Sequence, residues 1–325
     1  MTKAVLDVRN LAISLSDGAV RVPAVEGVDF TINRGEVFGL VGESGCGKSL
    51  CALALAGLLK APMAVSGGQI LLEGRDLAPL PPREMRRLRG DKVSMIFQEP
   101  MTALNPLMTV GDQIGEMFVL HRGLTPRAAR LKAIEALEQV QVSSPERRIN
   151  AYPHQLSGGM RQRVMIAIAL ACDPALLIAD EPTTALDVTI QAEIVELVLE
   201  LCRAKGTAVM MISHDLGLVA RVCNRVAVMY AGQIVEQRSA EEIFTAPAHP
   251  YTRGLINALP RLGRRLERGQ ERLTEIGGVV PAIRDFPQGC RFAPRCTRAT
   301  AECRAAPVAM TDLNEGGRVR CLHHV

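Results

Sequence analysis

Three short segments carry the residue types needed to hold and cleave a phosphoanhydride. Gly42, Glu43, Ser44, Gly45, Cys46, Gly47, Lys48 and Ser49 follow one another as GESGCGKS, with the Gly-x-x-x-x-Gly-Lys-Ser spacing of a P-loop. Glycines at those positions let successive N–H groups face phosphate oxygens, Lys48 can neutralise the β- and γ-phosphates, and Ser49 can hold Mg²⁺. The run Ala175–Pro182, ALLIADEP, is apolar until it ends in Asp180 and Glu181. That is a buried strand delivering two carboxylates at its end. The segment LSGGM puts Ser157, Gly158 and Gly159 just before an apolar-periodic helix (Val164, Ile166, Ala167, Ile168). A helix N-terminus with a hydroxyl and free backbone donors suits phosphate.

Val37–Val41 predicts a short buried strand entering the P-loop, and Leu50–Leu59 a helix leaving it, the context a P-loop requires. Ahead of it, to about Glu36, apolar and polar residues alternate (Leu6, Val8; Val25, Val28, Phe30, Ile32). This predicts antiparallel strands with turns at Ser16-Asp17-Gly18 and Asn33-Arg34-Gly35. Strands are expected at Gly67–Glu73 and Lys92–Phe97, the second ending at Gln98, with a basic helical segment at Pro79–Arg89 between them. A mostly helical section runs from about Met101 to Val164, with Arg127–Val140 strongly amphipathic. Strands return at Ala175–Ala179, Ala208–Ser213 and Arg225–Tyr230, and Gly232–Glu236 reads as one more. Alternating strand and helix argues for a parallel α/β sheet. His214 follows its strand directly, where loops reach the active sites of such sheets.

The bulk of the chain narrows the function class. Of 325 residues 48% are hydrophobic, enough for a sizeable core, and the net charge of +4 is spread rather than clustered, which does not imply nucleic acid. No apolar run reaches the ~18 residues of a membrane span, and MTKAVLDVRN lacks the basic-then-apolar pattern of a signal peptide. The reading is a cytosolic protein whose membrane association comes through a partner. Nine cysteines in such a chain are not read as disulfides. Cys51, Cys172, Cys202 and Cys223 read as core thiols. Cys46, beside phosphate-binding backbone and Lys48, is expected to favour a thiolate.

On these motifs the chain resembles the ATP-binding subunits of ABC transporters. The resemblance implies an α/β fold over residues 1–245: a P-loop ABC ATPase with a RecA-like parallel-sheet core, an antiparallel β subdomain and a helical subdomain at about 100–165. It implies a two-subunit switch in which the LSGG segment (Ser157, Gly158, Gly159) of one subunit caps the ATP held by the P-loop of the other. By the same resemblance Glu181 is the base for the attacking water, Asp180 lies on the Mg²⁺ side and His214 contacts the γ-phosphate. Gln98 senses Mg²⁺ and the water and passes their state to the membrane partner, and Asp187, in Ala185-Leu186-Asp187, lies across the dimer seam. The stretch Glu99–Pro106 falls near the groove for a cytoplasmic helix of the permease. One departure is the adenine-stacking aromatic usual near the first strands, for which this chain offers Leu15 or Val22. Weaker affinity or base selectivity is expected.

Beyond Pro247 apolar periodicity weakens and Pro, Arg and Cys rise. His249-Pro250-Tyr251-Thr252 opens a helix-like piece, Arg261–Arg272 is a charged linker, and Cys290, Cys296, Cys303 and Cys321 follow. Their spacing is not the C-x-x-C pairing of a zinc ribbon. Four thiolates can bind Zn²⁺ or an iron–sulfur cluster, and Arg291, Arg295, Arg298, Arg304, Arg318 and Arg320 could offset the charge, with His323 and His324 as spare ligands. His249-Pro250-Tyr251 followed by GCRFAPRC resembles the C-terminal region (246–325 here) of ATPases from dipeptide, oligopeptide and nickel importers. That implies a [4Fe–4S] cluster in preference to Zn²⁺, and a place at the cytoplasmic face of the membrane. It also implies a second related ATPase, two permease subunits and an extracytoplasmic binding protein as partners, with no nucleic acid. Di- or oligopeptide import is the leading reading and nickel or another small solute the alternative. A chromosome-maintenance ATPase fits less well, since the helical section is short and no basic stripe is present. A redox role for the tail can coexist with transport.

Overall fold

The computed structural model describes residues 4–18, 20–98, 103–182, 188–258, 276–313 and 316–324. The chain forms two compact units that interleave in sequence. One comprises Met1–Leu6, Thr31–Glu36 and Leu71–Met211; the other comprises Asp7–Phe30, Val37–Ile70 and Ile212–Val325.

The alternating N-terminal stretch forms β1 (Ala4–Asp17) and β2 (Val20–Asn33). Leu6 and Val8 are buried, and so are Leu11 and Ile13, one step out of phase. Asn10, at φ 46°, lies between the two pairs and resets the alternation. β3 (Val37–Val41), buried at all five residues, leads through the P-loop into α1 (Lys48–Leu55). There follow β4 (Met63–Leu72), β5 (Arg75–Asp76), α2 (Pro82–Leu88) and β6 (Val93–Ile96). The helical section contains α3 (Val110–Arg122), α4 (Pro126–Gln139), α5 (Pro145–Arg148) and α6 (Gly158–Leu170). Next come β7 (Leu176–Asp180), α7 (Val188–Lys205), β8 (Ala208–Ile212), α8 (Leu216–Val222), β9 (Arg225–Tyr230) and β10 (Gln233–Ser239). The C-terminal part adds α9 (Ala240–Thr245), α10 (Pro250–Asn257), α11 (Ala301–Ala305), β11 (Thr311–Asp312) and β12 (Arg318–Val319).

In the first unit the strand order is β8-β7-β6. β6 and β7 run parallel, Val93 opposite Leu176 and Ile96 opposite Ala179. β7 and β8 are buried at every residue, as parallel strands covered on both faces must be. The helices begin where their caps dictate. The Thr109 hydroxyl accepts from the Asp112 N–H, the Thr125 hydroxyl accepts from the Ala128 N–H, and Pro126 occupies the first turn of α4. Val110, Ile114 and Phe118 are buried along α3, and Ala129, Ala133, Ala136 and Leu137 along α4, at helical spacing.

In the second unit β2, β1 and β4 lie side by side, and a further sheet runs β11-β12-β10-β9-β3. β3 pairs with β9 in parallel, Val41 opposite Val228, while β10 and β12 add antiparallel strands, Glu236 opposite Val319. The cysteine-rich tail thus contributes strands to the sheet that carries the P-loop strand. Between tail and sheet lies an aromatic core of Tyr230, Tyr251 and Phe292, with ring centroids 4.7–5.3 Å apart. Beneath it Glu236, fully buried, accepts the N–H groups of Ala248 and His249, each at 2.8 Å, and so fixes the start of α10.

Candidate functional site

The P-loop is built within the second unit. Gly42 has φ 153°, and a Cβ there would fall 2.2 Å from the Met229 carbonyl oxygen and 2.8 Å from Cys46 Sγ. Only glycine fits this position. Lys48 is buried, and its ammonium donates to the carbonyls of Gly42 (2.8 Å) and Glu43 (3.0 Å) across the loop. Ser44, Gly45 and Ser49 are exposed.

Cys46 departs from expectation. Its side chain is buried under the loop, and burial pushes its thiol above the ordinary value although Lys48, 3.6 Å from Sγ, pulls the other way. Desolvation of a thiolate outweighs one ammonium that is already shared between two carbonyls. The residue is a neutral filler beneath Gly42, not a reactive thiolate.

Asp180 and Glu181 belong to the first unit. Asp180, buried, ends β7. Glu181 follows with its backbone at φ 47°, a left-handed conformation that a non-glycine residue adopts at an energetic cost. The Gln98 amide, just past β6, donates to Glu181 Oε2 at 2.9 Å. The structure thus brings together the two side chains expected to handle the water. Asp187 and Glu99–Thr102 lie outside the described residues.

Ser157 caps α6, its hydroxyl accepting the Met160 N–H at 3.3 Å. Ser157 and Gly158 are exposed, and a Cβ built on Gly159 would have nothing within 4 Å. Gly159 also has no positive φ. Among the described residues nothing requires glycine there. In the second unit His214 is exposed just after β8. The Asp215 N–H donates to Ser213 Oγ at 3.0 Å, and Asp215 in turn caps α8 by accepting the Leu218 N–H at 3.0 Å. This pair of bonds fixes the turn that presents the imidazole. Leu15 and Val22 are half-buried, one on β1 and one on β2.

The four tail cysteines line one small, almost wholly apolar cavity, together with His249, Phe292, Arg298 and His323. Burial raises the Cys321 thiol, and the charges of Cys290, Cys296 and Cys303 add to the effect. Among the described residues no group of three or more His, Cys, Asp or Glu side chains is placed to hold a metal ion. The arginines expected around the cysteines are mostly engaged elsewhere. Arg291 pairs with Glu26 and donates to the Ala231 carbonyl, and Arg320 donates to the carbonyls of Ile234, Val308 and Gly27. Arg295 pairs with Glu43 of the P-loop at 2.8 and 3.1 Å. The Tyr251 hydroxyl accepts the Glu43 N–H at 2.9 Å. These last two contacts span more than two hundred positions, and no local pattern announces them.

Residues 25–184 match the family model described as "ABC transporter", and residues 235–303 match "Oligopeptide/dipeptide transporter, C-terminal region". A probable peptide ABC transporter ATP-binding protein of Sinorhizobium fredii is 51% identical over 97% of this chain and 94% of its own length. The dipeptide transport ATP-binding protein DppD of Escherichia coli is 48% identical over 98% of this chain and 96% of its own. Among solved structures, the dimeric ATP-binding cassette MJ0796, in a post-hydrolysis state with ADP and Pi, superposes with a TM-score of 0.64 at 27% identity, covering 72% of this chain and 98% of that one.

Proposed function

The chain belongs to the ATP-binding subunits of ABC transporters, and from that premise we propose that it is the ATPase of a di- or oligopeptide importer, acting in a composite dimer. It is an ATP hydrolase of that family. The peptide reading is supported by the match over residues 235–303 and by relatives named for peptide and dipeptide transport along nearly their whole length.

The observation that carries the composite site is Gly159. It heads a helix of 13 residues, has ordinary backbone and faces open space. A glycine for which the described residues give no reason is read here as having its reason in what approaches it. A phosphate docking on Ser157, Gly158 and Gly159 from a second subunit's P-loop needs that open space and those N–H groups. Domain 1–245 then holds ATP and 246–325 forms the importer-type extension.

In hydrolysis Lys48 and the amides of Gly42–Ser49 hold the phosphates, His214 contacts the γ-phosphate, and Glu181 takes the proton of the water. The water oxygen bonds to the γ-phosphorus, the bond from that phosphorus to the β–γ bridging oxygen breaks, and ADP leaves with the negative charge. Positioning and charge stabilisation supply most of the rate. Gln98, bonded to Glu181, orients the carboxylate and links its state to the helical section. Ser49, Asp180 and Gln98 offer the hard oxygen donors that Mg²⁺ prefers, and the bound ion neutralises developing phosphate charge. The four tail thiols line one cavity, and four thiolates are the ligand set that a [4Fe–4S] cluster would take there. The reading of a cluster in preference to Zn²⁺ rests on the likeness to importer ATPases, since among the described residues no group stands as a metal site.

The partners on this reading are a related second ATPase, two permease subunits and an extracytoplasmic binding protein. Among the described residues no helix is long and apolar enough to cross a membrane, and the chain sits at the cytoplasmic face through the permeases. The test is uptake by the reconstituted transporter: labelled di- or oligopeptides should accumulate with MgATP, and nickel should not. Uptake of nickel but not of peptide would move the chain to the alternative cargo class.

A further inference from the structure

Glu43 is an awkward residue for a phosphate-binding loop, because its carboxylate repels the anion the loop must hold. The structure deals with it from the far end of the chain. Both oxygens of Glu43 accept from the Arg295 guanidinium in a forked pair, at 2.8 and 3.1 Å. Arg295 is 7% exposed at its side chain, and Glu43 is 28% exposed. The guanidinium is itself pinned: it donates to the carbonyls of Gly277 (2.8 Å) and Ile276 (3.0 Å) and lies 5.6 Å from the Tyr230 ring centroid. The Glu43 N–H donates to the Tyr251 hydroxyl, and the Glu43 carbonyl accepts from Lys48. Every polar group of Glu43 is thus held, two of them by the region beyond β10 and one by the lysine that faces phosphate.

We propose that Arg295 is a positioning residue of the nucleotide site, neutralising Glu43 and fixing the P-loop, so that the loop carrying Cys290 and Cys296 sets the affinity of this chain's own P-loop. The forked geometry suits arginine and not a point charge. Arg295 immediately precedes Cys296, which lines the cysteine cavity. A displacement of that loop therefore reaches Glu43 through one side chain. The proposal rests on the nucleotide reading of the P-loop, not on any metal in the cavity.

The test is ADP binding by the full chain at fixed ionic strength, which needs no hydrolysis, followed by calorimetry together with the melting temperature. Arg295→Gln leaves Glu43 unpaired beside the phosphates and should weaken ADP about tenfold. Adding Glu43→Gln removes the repulsion, and the double variant should recover to within about threefold of the unmodified chain. Arg295→Lys should fall between. If Arg295→Gln proves too unstable to study, Tyr251→Phe removes one acceptor and keeps the ion pair, and should weaken ADP by about threefold. Unchanged affinity in folded Arg295→Gln or in Tyr251→Phe overturns the proposal, as does a double variant no better than Arg295→Gln alone. Absence of ADP binding by the unmodified chain would defeat the nucleotide reading itself, a result distinct from a flat mutant series.

Discussion

The chain has two glycine-rich segments suited to phosphate, and they differ in what makes them glycine-rich. At the P-loop the reason is internal: Gly42 is pressed against the Met229 carbonyl and Cys46 with φ 153°, and a buried lysine already bridges the loop. At the head of α6 Gly159 has ordinary backbone and empty space before it among the described residues, and on the proposed reading its reason is external. The P-loop's shape is enforced by its own chain. On that reading α6 is half of a site that a second subunit completes. A substitution in the first should be felt by the isolated protein, and one in the second only by the assembly.

The largest effect expected is at neither glycine but at the base whose work needs both segments. Glu181→Gln should lower hydrolysis by ~10²–10⁴-fold, the range for loss of a general base, while ATP still binds. The partnered ATPases should then accumulate as a closed, ATP-dependent dimer visible as a rise in mass by light scattering. Normal turnover in this variant would remove Glu181 from the role.

Gly42→Ala sharpens the internal half. A methyl group at that site must displace backbone, a cost of roughly 1–3 kcal/mol, so the isolated chain should melt lower and lose nucleotide binding. Gly159→Ala is its control: the isolated chain should melt and bind ATP as the parent does, while hydrolysis by the assembled transporter falls. Equal melting losses in the two variants would erase the distinction between them.

A smaller effect tests whether Cys46 is part of the finished loop. Because burial raises its thiol, alkylation should be slow at neutral pH and speed up only well above the pH at which an exposed cysteine reacts. Rapid labelling near pH 7, blocked by MgATP, would restore the thiolate that the sequence alone suggests.

Much of this was legible in the residues. The strand Val37–Val41 and the strand Arg225–Tyr230 have the bounds their apolar runs predict, because fully buried strands are marked at both ends by turn residues. The amphipathic stretch Arg127–Val140 differs from the observed helix by one residue at each end, since Thr125-Pro126 is a strong start signal. Two kinds of feature were not legible. β11 and β12 have two residues each, too few for any period to appear, and they form because a neighbouring edge accepts them. The contacts of Tyr251 and Arg295 with Glu43 join residues 208 and 252 positions apart, and no local pattern points to a partner that far along the chain. Cys46 misled for a different reason: proximity to Lys48 is visible in sequence, whereas burial, which dominates its chemistry, is not.

A further effect is expected on stability at the two ends of the pH scale, in the unit that carries the P-loop. His249 is buried, accepts the Tyr251 N–H at 3.0 Å, and is held neutral by burial with a pKa of about 3. Unfolded, it takes a proton below about 6.5. Its contribution is therefore present above that pH and lost as pH falls towards 3, by at most about 1.4 kcal/mol per pH unit. Cys51 and Cys223 run the other way: burial pushes both to about 12, so their contribution is present below the ordinary thiol value and lost as pH rises from there towards 12. Melting temperature should peak between these limbs, and His249→Asn, which keeps an acceptor for Tyr251 without titrating, should flatten the acid limb.

That the P-loop serves its own chain and α6 serves another is tested most directly by asking which subunit holds the nucleotide. The transporter assembled with Gly159→Asp in this chain would be photolabelled with an azido-ATP under trapping conditions and its two ATPases separated. The account predicts that this chain labels as in the parent while trapped label on the partner ATPase drops. Loss of label from this chain, with the partner's unchanged, would contradict it.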